Sequence, residues 1–504
     1  MKRALLTALA LILGFLGVAL SVGQGFAQVP EAAPYSIPGI ENRAVVWVAA
    51  QMHILFAAFI LGAPIFVVIS EWIGMRKRDP RYDRLAKEVT KVTTILYSMT
   101  ALTGGLFILV LVGLYPTLTS FMVNHFFPIF AIAYPLLFIG ETLVLYFYWY
   151  SWDTLTGEKK ARHVAIGVLL NIIGLTTLAA INAPTSFMNT PPHPIETATL
   201  WESIHNYSWM PLNLHRTIGN ITFGGFITGL IAAYMYMSSK TPEERAYYDW
   251  MGFVGNLIGV GASLLLPLAG YILAAEFFEF DASIGPYMMA DQLSMYFEMQ
   301  GAMVGLMFLA SNLYIWQSMK RISGIESLKI LGIPSVTVVK LGFAIILLGN
   351  AIWMTPHGFS ATQATATDAL ELPSDWGFLA LMPAKNTAAG LIVFVTIVNY
   401  IIYNRAIRRG TIQWGKIDFM SQFVLIFLAF SAIWTMGLMG AVRSLVRKYF
   451  HVYILFPDYT PEAYTPTLAH TSVLVTAMTL AFFAVVSFAI WLSLMVGKGK
   501  AKAS

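Results

Sequence analysis

Apolar runs of about 20 residues recur along most of this chain, and they restrict its fold more than any other feature of the sequence. At ~1.5 Å rise per residue, a run of that length crosses a hydrocarbon core of ~30 Å. In that medium every backbone N–H and C=O must be bonded within the protein, which leaves helices or closed barrels; unbroken runs of this length select helices. The expected fold is therefore all-α, a polytopic transmembrane helical bundle of about 11 mature spans. The spans fall near 44–73, 92–114, 126–150, 163–182, 214–237, 250–273, 297–318, 335–354, 387–404, 417–440 and 469–496.

Composition agrees: the 504 residues are 57% hydrophobic and 11% charged. A net charge of +5 would suggest nucleic-acid affinity in a soluble protein, but here the cations lie between spans, so membrane lipid is the expected surroundings and nucleic acid is not a partner. Alternate connecting segments hold 23 and 6 Lys/Arg, and the richer set belongs inside by the positive-inside rule. That places the N-terminus outside and the C-terminus in the cytoplasm, as expected of a multi-pass protein of a bacterial inner membrane. Met1–Ala27 reads as a signal peptide, with Lys2 and Arg3 before an apolar core and Gly25-Phe26-Ala27 at the cleavage point; an uncleaved anchor gives the same topology. Zero cysteines exclude disulfides, Cys-held iron–sulfur clusters, CxxCH attachment and haem-thiolate ligation. A redox metal would have to rest on His, Met or carboxylate.

Three residues of that kind fall at matching depth in the expected outer third of the bilayer. His53 lies in the first span, His215 at the start of the fifth and Met303 in the seventh. A His/Met pair is a known ligation of haem iron suited to electron transfer. The alternative for each residue singly is a side chain that only hydrogen-bonds a neighbouring helix. Glu141, a carboxylate within the third span, must be neutral or paired there, and a proton relay is a common reason to keep one. Asn171, Asn220, Asn256, Asn312, Asn350 and Asn399 read mostly as interhelical hydrogen bonds. Arg443, Arg447, Lys448 and His451 suggest an interfacial helix over Ala441–Tyr453, facing lipid headgroups or a partner.

Several motifs resemble the subunit I family of cytochrome bd oxygen reductases. Arg43-x9-His53 resembles its first helix, and Glu141 followed by Ser151-Trp152-Asp153-Thr154-Leu155 resembles its third. Asn182 with Ser186-Phe187-Met188-Asn189-Thr190-Pro191 is similar to the family's turn after helix four. Leu214-His215-Arg216-Thr217 and Ala302-Met303-Val304-Gly305-Leu306 resemble the segments holding its low-spin haem ligands. The likeness covers residues 40–405 and leaves 411–504 as an extra C-terminal two-helix extension. It implies a low-spin haem b on His215 and Met303, and a high-spin haem b or d on His53. It implies catalytic roles for His53 and Glu141, oxygen reduced to water, and a second membrane subunit. The electron donor would be quinol or a periplasmic cytochrome c.

The sequence also departs from the family. A second carboxylate of the third helix is replaced by Ala133, and Gly349–Gly358 lacks the carboxylate that ligates a further haem. Met354 and His357 are the candidates to hold a third haem there. An Arg near the Met ligand becomes Gly301, and Ala274–Tyr296 is shorter than the family's quinol-binding loop. Two other readings therefore stay open: a haem b electron-transfer subunit that reduces no oxygen, and a proton-coupled transporter.

Overall fold

A computed structural model describes residues 42–289, 293–355, 382–448, 450–457 and 465–501. The expected signal segment, Met1–Ala27, and His357 lie outside the described residues.

The chain is helical throughout, as expected. Its helices are α1 Asn42–Lys77, α2 Pro80–Leu114, α3 Pro116–His125, α4 Tyr134–Tyr150, α5 Lys160–Phe187, α6 Leu200–Ile204, α7 Trp209–Ser238, α8 Pro242–Ser263, α9 Leu266–Phe280, α10 Ile284–Met289, α11 Ser294–Met319, α12 Ser335–Trp353, α13 Met382–Arg409, α14 Met420–Leu445 and α15 Thr465–Ala501. A π-helical turn, Pro128–Ala133, leads into α4. Proline sits in the first turn of α2, α3, α4, α8 and α9, where its missing N–H costs nothing. Asp79 and Thr241 cap α2 and α8 by accepting from backbone N–H groups.

Ten helical stretches among the described residues are long and apolar enough to cross a membrane. The seventh expected span is the exception. It forms as α11, 26 residues long, but its apolar content is diluted by Ser311, Asn312, Tyr314 and Gln317. Of these, Ser311, Asn312 and Tyr314 are fully buried by neighbouring helices and need no lipid compatibility. Asn312 donates to Thr396 Oγ1 on α13 (3.0 Å) and accepts from Asn399 Nδ2 (2.8 Å), while Ser311 donates to Asn256 Oδ1 on α8 (2.8 Å). Asn256 also reaches Tyr400, and Asn171 reaches Pro64 O, so these asparagines bond helix to helix as expected.

The chain forms two compact units. One contains residues up to Thr217 together with Arg447–His470; the other contains Ile218–Val446 and Thr471–Ser504. In the first, α1 packs along α2 and α5, and α5 along α4. In the second, α11 packs against α12, α13 and α14, and α12 against α13.

The expected interfacial helix over Ala441–Tyr453 is not formed. Helix α14 ends at Leu445, and the chain turns into a short antiparallel pair, β1 Phe450–Val452 with β2 Phe456–Pro457. Arg447 and His451 are buried instead of facing headgroups. The reason is apolar: Val452 enters a cluster with Leu118, Phe126, Ala183 and Phe187, and Tyr453 N donates to Met188 O (2.9 Å). Burial of Val452 turns the flanking basic side chains toward the protein, where Arg447 donates to His451 O (2.5 Å) and Arg43 to Lys448 O (3.2 Å). Burial beside Arg447 and Arg43 pushes the His451 imidazole down to about 3, so the ring is neutral.

Candidate functional site

His53 sits about three turns into α1, half-buried, with its ring against α2. Its Nδ1 lies 3.1 Å from Thr100 O, and Thr103 Oγ1 is 3.5 Å away. A carbonyl only accepts, so Nδ1 bears the proton and Nε2 keeps a lone pair. This is the arrangement in which a backbone carbonyl orients a metal-ligating imidazole. Room for the ring comes from Gly104, where a Cβ would stand 2.9 Å from His53 Cε1.

In the same unit, the start of α7 presents His215 and Arg216. His215 Nδ1 is buried without a hydrogen-bond partner. Arg216 donates to Asn182 Oδ1, and Asn182 Nδ2 donates to Asn213 Oδ1 (2.7 Å). The turn that brings Asn182 there is held by its own polar side chains. Asn206 donates to Ser186 Oγ and Thr190 to Asn206 Oδ1, both at 2.8 Å; Thr190 and Ser208 hydroxyls lie 2.7 Å apart. The charge of Arg216 bears on His53 as well as on His215. His53 and His215 thus share one unit and one cationic neighbour.

Glu141 is buried on α4, where Asn171 and Gly174 of α5 meet Ile60, Leu61 and Pro64 of α1 around a cavity of about 10 Å³. That is room for about one water molecule. Pro64 has no N–H to give the Ile60 carbonyl, while Asn171 donates to Pro64 O (3.0 Å), so the cavity wall is polar where three apolar helices pack. Ala133 lies in the π-helical turn two helical turns before Glu141.

Met303 is in the second unit, half-buried on α11. Two residues to either side, α12 approaches closely. Trp353 Nε1 would lie 3.3 Å from a Cβ at Gly301, and a Cβ at Gly305 would overlap the Asn350 amide. Asn350 Oδ1 is buried and has no hydrogen-bond partner. Met354, at the end of α12, is 44% exposed.

Thr100, Gly104, Asn171, Gly174 and Asn213 shape these positions, and the sequence reading did not single out Thr100, Gly104, Gly174 or Asn213. A faint signal existed for two of them: Thr100, Thr103 and Gly104 sit three to four residues apart, one helix face, inside an apolar run. Among the described residues no three His, Asp or Glu side chains converge in a way that could hold a metal ion.

Ten helical stretches among the described residues that are long and apolar enough to cross a membrane define the class, a multi-pass membrane protein. The family model for cytochrome bd terminal oxidase subunit I matches residues 42–283, just under half of the chain. A Bacillus subtilis (strain 168) protein, provisionally named cytochrome bd menaquinol oxidase subunit I, is 23% identical over 243 residues, 47% of this chain and 54% of that protein. The chain thus spans about half the length of this curated relative. The bd oxidase of Geobacillus thermodenitrificans superposes with a TM-score of 0.48 at 16% identity, over 89% of this chain and 97% of that one.

Proposed function

We propose that this protein is the haem-bearing subunit of a bd-like terminal oxidase that passes electrons to oxygen and forms water. The observation that carries the proposal is the His53 ring, whose Nδ1 is committed to Thr100 O so that Nε2 is left to bind iron. His53 would hold the high-spin haem. His215 and Met303 would hold a low-spin haem b; that pairing rests on their motifs, and the unpartnered Nδ1 of His215 fits a ring not committed to another side chain. Bound haem would supply reversible one-electron chemistry and, on His53, an open coordination position.

The protein's own groups would do the rest. Thr100 O and Gly104 orient the His53 ring. Arg216, fixed by Asn182, supplies positive charge near both histidines. Glu141 would take up a proton beside the water-sized cavity and release it toward the oxygen site, the role for which a carboxyl is commonly kept within a membrane span. Quinol as the donor, a second membrane subunit and a bacterial inner-membrane location, N-terminus outside, belong to the same proposal.

Optical difference spectra of the purified chain, reduced with and without carbon monoxide, test it. A CO-sensitive haem is expected, lost in His53→Ala along with oxygen consumption, while the low-spin signal stays. His215→Ala or Met303→Leu should remove the low-spin signal and leave insertion intact. Haem without any CO response favours an electron-transfer subunit that reduces no oxygen, for which the carboxylate-free Gly349–Gly358 segment is the supporting observation. Absence of haem would end both readings.

A further inference from the structure

The second unit has a groove of about 360 Å³ whose walls are apolar side chains of α11, α12 and α14, among them Leu306, Leu313, Phe343, Phe423 and Phe427. All of these residues lie beyond the segment matched by the family model. From Leu306 to Gln317 the groove follows α11 for about 16 Å at 1.5 Å per residue. That is roughly half of a ~30 Å hydrocarbon core, the depth of one leaflet. Phe423 is 48% exposed and Met420, at the same end, 59%, so the groove opens sideways toward lipid.

Its polar end is built differently from its walls. Gln317 lines it, and Ser421 Oγ donates to Gln317 Oε1 (2.7 Å), which leaves the amide N–H groups of Gln317 for the groove. One turn further along α11 and one turn back along α12 stand Lys320 and Lys340. Both ammonium groups sit over the Trp316 ring, 4.7 and 5.5 Å from its centroid. Neither lysine has an ion-pair partner among the described residues, and the Trp316 indole N–H has no acceptor. The carboxylate closest in sequence to the α14 wall, Asp418, is engaged by the Met420 N–H (3.0 Å). Two cations held on one indole, near the polar end of an apolar groove one leaflet long, are complementary to a lipid with a negatively charged headgroup.

We propose that this groove is a binding site for one anionic phospholipid. An acyl chain lies along Leu306–Leu313 between Phe343 and Phe423, the ester carbonyls face the Gln317 amide, and the phosphate lies between Lys320 and Lys340. The inference does not depend on haem or on oxygen chemistry.

The test uses the full chain reconstituted in nanodiscs with equal amounts of phosphatidylglycerol and phosphatidylcholine, then released into detergent for native mass spectrometry. One phosphatidylglycerol per chain should survive detergent exchange, in at least tenfold preference over phosphatidylcholine. The Lys320→Gln/Lys340→Gln pair, on exposed positions, should lower retention at least tenfold with an unchanged gel-filtration profile. Leu313→Trp, which fills the groove and keeps both lysines, should lower it too. Equal retention of phosphatidylcholine, undiminished retention in the lysine pair, or no retained lipid in the unsubstituted chain would overturn the proposal. Recovery of an isoprenoid quinol, or of another protein's membrane helix, in place of phosphatidylglycerol would overturn it as well and reassign the groove.

Discussion

The contact between Thr100 O and His53 Nδ1 sets the proton of the imidazole without any help from a bound metal. Because the acceptor is a backbone carbonyl, no side-chain substitution at Thr100 removes it, and the sensitive position is the one that makes room for the ring. Gly104 is that position. A Cβ there meets Cε1 at 2.9 Å, closer than two carbon atoms tolerate, and α2 backbone on one side with α1 on the other leaves the ring to give way. Gly104→Val is therefore expected to turn His53 away from Thr100 O. Carbon monoxide binding should fall at least tenfold, toward the level of His53→Ala, while the low-spin spectrum is unchanged. Full CO binding in Gly104→Val would mean that the Thr100 contact does not orient the ligand.

At the scale of elements, polar residues matter by where they face. The helices themselves were legible, because each apolar run is long, bounded by Lys/Arg or Pro, and free of alternative structure in lipid. Helix α11 shows the limit of hydropathy. Ser311 and Asn312 look wrong for a span by composition, yet they face α8 and α13, and interhelical bonds of this sort contribute roughly 0.6–2 kcal/mol each in a membrane. The strand pair after α14 was not legible. Arg443, Arg447, Lys448 and His451 have helical spacing, and only the burial of Val452 among residues over 250 positions away decides against a helix. That segment makes a pH prediction. The folded His451 titrates near 3 and an unfolded histidine near 6.5, so the neutral ring favours the folded segment fully above about pH 6.5. The contribution is lost progressively as pH falls from 6.5 toward 3. Limited proteolysis in detergent should cut between Arg447 and Pro457 faster at pH 5 than at pH 7.5. His451→Phe should flatten that dependence, and an equally steep response in the variant would remove His451 as its cause.

For the molecule as a whole, the proposed function can be tested by a count, the number of haems per chain. His53, Glu141 and His215, all in the first unit, lie within the family match; Met303 and Met354 lie beyond residue 283. The candidate ligands in the matched part were readable because His and Arg stand out in apolar runs, whereas their supports, Thr100 and Gly104, are ordinary residues of a membrane helix. Past the match, the segment Gly349–Gly358 supplies Met354 and His357 where the family has a carboxylate. Met354 is 44% exposed at the end of α12, and its thioether suits ferrous iron better than ferric, while imidazole binds both. His357 is accordingly the expected third ligand. Pyridine haemochrome assay against protein mass counts the haems: if three are found per chain, His357→Ala should lose one and Met354→Leu none. The reverse pattern would move the role to Met354, and two haems in the unsubstituted chain would leave no third site for either residue to hold.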